Sequence, residues 1–296
     1  MNFTLGNYHM DIRSLPIVCK LQLASLKKEQ PILDRETATP DRQPQQLKRP
    51  LTFHKSLAFL GLTAILGLSG GPAPQSAISQ TNLVSSIGSN VTFSCNDSEA
   101  TIRAKNGPRV TFGSSTIYIG YQQVSSINQD PRMVRFDNGV RTWCKTDYDT
   151  TGADGRGYGL LWNGSSILYA AFSTDGTQGT SSQDFRRFAT NGWLTTYGRG
   201  GGRKVAILAR IDPKTGNVLN ATFLSALLSN GESNSLAVKG LSWTGANLVV
   251  QANSYFAPRR PNKTAMTCTG SSPFQYTAQF TSDLRTVVQA SALGCS

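Results

Sequence analysis

Tyr158-Gly-Leu-Leu-Trp162, Asn163-Gly-Ser-Ser and Ile167-Leu-Tyr-Ala-Ala-Phe172 follow one another in mid-chain. An apolar run closing on an aromatic residue, a Gly-containing turn and a second apolar run read as a β-hairpin, because each run is too short for a helix and the turn supplies the backbone freedom a reversal needs. The same design occurs upstream as Arg109-Val-Thr-Phe112, Gly113-Ser-Ser, Thr116-Ile-Tyr-Ile-Gly-Tyr121. It occurs again downstream as Leu236-Ala-Val-Lys-Gly-Leu-Ser-Trp243, Thr244-Gly-Ala-Asn, Leu248-Val-Val-Gln-Ala252.

A second kind of hairpin lies between and after these. It reads Met133-Val-Arg-Phe136, Asp137-Asn-Gly, Val140-Arg-Thr-Trp-Cys144, then Ala206 to Ile211 joined through Asp212-Pro-Lys-Thr-Gly-Asn to Val218–Phe223. The last copy is Phe274 to Phe280 joined through Thr281-Ser-Asp-Leu to Arg285–Ala290. The two kinds alternate along the chain, which is the mark of an internal repeat. No window shows a helical period. The expected fold is all-β, with antiparallel four-stranded hairpin repeats arranged like propeller blades, or a β-sandwich. Joining each second-kind hairpin to the following first-kind one gives two full blades, and the last hairpin would close a third with the first. Three blades fall short of a ring. The repeats would then stack as an open array, or complete a ring by pairing with a second copy of the chain.

The stretch Ile207-Leu-Ala-Arg-Ile-Asp-Pro-Lys-Thr-Gly216, Thr222-Phe-Leu224 and Leu236 to Val250 resembles one β-propeller repeat of the SBBP type. In that family a strand ends in Asp-Pro-x-Gly and two later strands flank an Asp-Gly-Asn turn. The resemblance covers about 45 residues and implies a bladed fold. The chain also has the look of secreted cyanobacterial proteins, a likeness that implies export and nothing about mechanism.

Export is also read directly. Ser56 to Ser69 is an uncharged, mostly apolar run of 14 residues preceded by Lys48, Arg49 and Lys55 and followed by Gly70-Gly-Pro72. Spanning a bilayer takes roughly 20 apolar residues, so the run reads as a signal peptide over residues 51–79, cut near Ala77 or Ser79. Only an uncleaved signal would hold the protein at a membrane. Residues 1–50 are polar and are expected to be a disordered extension or a start site placed too far upstream. Residues 80–296 are left as a single all-β domain, secreted, periplasmic or extracellular. Cys95, Cys144, Cys268 and Cys295 form an even set there, as a disulfide framework requires. The final hairpin turns near Ser282, midway between Cys268 and Cys295, so antiparallel pairing brings those two together and leaves Cys95 for Cys144. A ring closed end to end would instead join Cys95 to Cys295.

Charge narrows the partners. The chain carries 29 Lys and Arg against 17 Asp and Glu, a net +12. From residue 80 onward there are 20 basic and 12 acidic residues, so about +8 remains and polyanions are attracted. Export makes nucleic acid an improbable target. Both histidines, His9 and His54, precede residue 80. That removes Ser-His-Asp and Cys-His mechanisms and His-ligated zinc or copper. Glu99 and Glu232 are the only glutamates after residue 80, which weakens a glycosidase. No cofactor is implied. Asp147, Asp149 and Asp154 in one Gly-containing loop are the candidate ligands for Ca²⁺, or simply make turns.

Two loops in equivalent places of the repeat carry basic and aromatic residues. One holds Arg186, Arg187, Trp193, Arg199 and Arg203, and the other Tyr255, Arg259 and Arg260. Arginine forks grip carboxylate, sulfate or phosphate, and aromatic faces stack on sugars. The bland alternative has Phe185, Phe188 and Phe256 covering the core while the arginines are solvated. These residues point to a non-catalytic binding or structural module for an anionic polysaccharide or an envelope protein. The competing reading is a carbohydrate-active enzyme using Asp147, Asp149, Asp154 or Asp184.

Overall fold

The computed structural model describes residues 2–5, 8–11, 84–176, 179–197 and 204–296. Met1–Pro72 and Ala73–Ser296 are separate compact units. In the first unit, β1 (Asn2–Leu5) pairs antiparallel with β2 (Tyr8–Asp11). The rest of the expected extension and the expected signal at 51–79 lie outside the described residues, as do Arg199 and Arg203.

The second unit is all-β, and all six hairpins read from the sequence are present. The first sheet is the antiparallel meander β4 (Arg109–Phe112), β5 (Ser115–Ser125), β6 (Asn128–Asp137) and β7 (Val140–Lys145). Asn138 and Gly139, both at positive φ (50° and 80°), make the two-residue turn into β7. This backbone twist matches that of the flanking strands. The second sheet runs β8 (Gly155–Trp162), β9 (Leu168–Thr174), β10 (Val205–Ile211) and β11 (Val218–Leu224), with β3 (Val84–Ile87) added beside β8. The third is β14 (Leu236–Trp243), β15 (Asn247–Ser254), β16 (Phe274–Thr281) and β17 (Val287–Ala292). A small ribbon of β12 (Ala226–Leu227) and β13 (Ser233–Asn234) lies between the last two sheets in sequence.

The hairpins combine differently from the sequence-based expectation. Each first-kind hairpin pairs with the second-kind hairpin that follows it, through β5 with β6, β9 with β10 and β15 with β16. The stretch that resembles an SBBP repeat is therefore divided between the second and third sheets.

The second sheet is buried on both faces, which explains why β9 and β10 are nearly continuous apolar runs. Along a strand successive side chains point to opposite faces. Leu168, Ala170, Phe172, Ile207 and Ala209 accordingly pack with Val110, Ile117, Ile119 and Met133 of the first sheet. Their neighbours Tyr169, Ala171, Ala206 and Leu208 pack with Val238, Val250, Tyr276 and Phe280 of the third. Close approach of the first two sheets needs a missing side chain at Gly157, where a Cβ would stand 2.2 Å from Ile119 Cγ1.

The far face of the first sheet is covered by α1 (Glu99–Ala104), a helix the sequence reading missed because six residues are too few to show a period. Ser98 caps it by accepting the Thr101 N–H at 3.2 Å. Ile102 and Phe93 pack on Tyr118, Val134 and Phe136. Disulfides join Cys95 to Cys144 and Cys268 to Cys295. With sequence separations of 49 and 27, each is worth roughly 3–4 kcal/mol in the chain-entropy account.

Candidate functional site

A cleft of about 890 Å³ lies between the margins of the second and third sheets. One wall is the chain leaving β3 through Gly88-Ser-Asn90, and the opposite wall is the start of β14 from Leu236 to Lys239. The floor is set by Tyr158 of β8, whose hydroxyl accepts the Val238 N–H at 3.2 Å. Burial pushes the Tyr158 phenol well above its ordinary pKa, so it stays neutral. The Lys204 carbonyl accepts from Leu236 N–H and the Ser235 carbonyl from Tyr255 N–H, each at 3.1 Å. These bonds tie the Lys204 segment and the Tyr255 loop to the start of β14.

At the mouth stand Tyr255 and Phe256, 40% and 43% exposed, large for aromatic side chains. Lys204 and Lys239 are exposed on the rim. Among the described residues no acidic side chain lines the cleft. The arrangement offers two stacking faces and two cations around a neutral, partly apolar floor. It can hold a ring bearing an anionic group.

Of the described residues singled out in the sequence, Tyr255 alone lines this cleft. Trp193 is 2% exposed, donates its indole N–H to the Pro261 carbonyl at 2.8 Å and stands edge-on to Phe280. It is core, because the Phe188–Leu194 segment caps the free edge of β11 through Ala221 N–H to Phe188 O and Phe223 N–H to Leu194 O. Arg186 is held by Asp184 at 2.8 Å and by the Gly179 carbonyl at 2.7 Å. Arg187 lies 4.4 Å over the Phe188 ring and donates to the carbonyls of Ser182 and Asp147.

Arg259 is 8% exposed and clamps the β12–β13 ribbon, donating to Ser225 and Ser233 and to the Lys263 carbonyl. Arg260 donates to the carbonyls of Ala265 and Ser296. Each of these four guanidinium groups donates to the protein's own oxygens. They are not simply solvated. Phe185 is core at 1% exposure, whereas Phe256 is open.

The carboxylates of the Asp147–Asp154 loop differ in burial. Asp147 is exposed. Asp149 is 1% exposed and its Oδ1 caps Thr151, accepting the backbone N–H at 3.0 Å and the hydroxyl at 2.7 Å. Asp154 N–H donates to Asp175. Among the described residues no three His, Cys, Asp or Glu side chains are grouped to hold a metal ion.

Sequence reasoning did not single out Tyr158 or Lys239, which line this cleft, and weighed Phe256 only as a cover for the core. Lys239 carried a signal, since it breaks the apolar run of β14. Tyr158 carried none, because its place beside β14 is a contact 80 residues away in sequence. Comparison of the chain with protein-family models, with curated proteins and with solved structures finds no match.

Proposed function

We propose that the chain is an exported, non-catalytic binding module that holds an anionic polysaccharide in the cleft between the second and third sheets. The observation that carries this reading is the lining itself: Tyr255 and Phe256 exposed at the mouth, Lys204 and Lys239 on the rim, and no carboxylate among them. Aromatic faces cover the apolar side of a sugar ring while ammonium groups meet its carboxylate or sulfate. Two disulfides fit an oxidising compartment. Among the described residues, no helix is long and apolar enough to cross a membrane. The three stacked four-stranded meanders fit a propeller-like open array better than a sandwich, since the middle sheet has partners on both faces.

The test is affinity electrophoresis of the full chain in gels containing a polyuronate, a sulfated glycan or a neutral glucan. Retardation by the acidic polymers that weakens with salt, and that is lost in both K204A/K239A and Y255A/F256A, is the expected result. Equal retardation of the variants rejects the cleft. Depolymerisation of any glycan rejects a purely binding role.

A further inference from the structure

A second cavity, of about 490 Å³, opens where β3 meets β4, at the margins of the second and first sheets. Its lining includes Ser85, Ser86, Asn106, Arg109 and Thr111, and it shares Ile87 and Gly88 with the cleft. The chain leaving β3 is therefore a partition between two adjoining hollows. At Gly88 that partition carries no side chain to stand between them.

The sequence of β4 explains how Arg109 comes to line the second hollow. Val110 is fully buried in the core shared with the second sheet. Successive side chains of a strand point to opposite faces, so Arg109 and Thr111 share the other face. Ser86 Oγ accepts the backbone N–H of Arg109 at 3.2 Å, which fastens β3 to β4 without using the guanidinium. Among the described residues that guanidinium has no ion pair and no hydrogen bond, in contrast to Arg186, Arg187, Arg259 and Arg260. Among the described residues no acidic side chain lines either hollow. A planar fork of N–H donors left unanswered matches a carboxylate bidentately, and the serine, threonine and asparagine beside it suit sugar hydroxyls.

We propose that the cleft continues over Ile87 and Gly88 into this second cavity, where Arg109 binds the carboxylate of a further sugar on the same polymer chain. The inference rests on the cleft reading above and narrows its ligand to a polyuronate, charged on successive sugars. Lys204 and Lys239 meet one part of the bound segment and Arg109 another. A ligand long enough to reach both makes its second contact intramolecularly, so affinity rises with chain length.

The experiment is calorimetric titration of the full chain with galacturonate oligomers of increasing length, using the wild type, R109Q, R109K and K204A/K239A. The wild type should bind long oligomers more tightly than digalacturonate. R109Q leaves the backbone bond to Ser86 in place and should unfold at the wild-type urea midpoint. It should lose roughly tenfold in affinity for long oligomers with little change for digalacturonate, and R109K, which keeps the charge without the fork, should fall between. K204A/K239A should weaken binding at every length. Wild-type affinity for long oligomers in R109Q overturns the Arg109 subsite and leaves the cleft standing. Unchanged binding by K204A/K239A rejects the cleft and the continuous groove with it, and absence of any binding by the wild type overturns both readings.

Discussion

The Tyr158 hydroxyl accepts the Val238 N–H at 3.2 Å, a hydrogen bond from the second sheet to the margin of the third. Val238 is 2% exposed and belongs to the core shared by those sheets. Replacing Tyr158 by Phe keeps the ring and strands a buried backbone donor. The expected cost is about 1–3 kcal/mol, measured as a lower urea midpoint at unchanged slope. An unchanged midpoint would mean that this N–H finds another acceptor.

Arg259 bears on how any loss of binding is interpreted. Its guanidinium sits among neutral oxygens with no carboxylate beside it, and its own carbonyl accepts from the Tyr276 hydroxyl at 2.8 Å. An ammonium cannot reproduce this planar fork. R259K is expected to destabilise by about 2–4 kcal/mol, whereas R260K, at a partly exposed guanidinium, moves the denaturation midpoint less. If R259K leaves stability intact while abolishing glycan retention, Arg259 is a ligand contact after all and the clamp is incidental.

Asp149 sets a pH dependence of stability. Burial pushes its carboxyl up from 3.8 to about 6, with the nearby Asp184 and Asp130 charges adding to the rise. Between those values the folded protein keeps a proton that the unfolded chain has released. Stability therefore falls as pH rises from about 4 to about 6 and stays low above that, a loss of roughly 3 kcal/mol. D149N should flatten that part of the stability profile, and equal pH slopes in the two proteins would refute the assignment.

How far the sequence was legible depends on how local each decision was. The six hairpins were readable because turn chemistry and alternation operate within about 15 residues. The Cys268–Cys295 pairing followed from the same local symmetry about Ser282. The grouping of hairpins into sheets was different, since most of the connections between hairpins are long enough to allow either neighbour. Only Ser126-Ile127, the two residues between β5 and β6, disclosed the true frame. Such a short link forces β5 and β6 to pair and leaves β7 to end its sheet.

For the candidate site the balance reverses. Composition and residue identity alone determined an all-β, disulfide-bearing domain, and they excluded histidine chemistry from residue 80 onward. The repeated basic loops said that arginine and aromatic side chains were present, but not which way they faced. Tertiary structure decided that Trp193 fills the core, that Arg186 and Arg259 serve internal oxygens, and that Tyr255 and Phe256 stand open beside Lys204 and Lys239. The physical reason is that burial is a property of the partners a side chain meets. For Tyr158 and Val238, or Arg259 and Ser225, those partners lie 80 and 34 residues away along the chain, beyond any pattern a local run of sequence can carry.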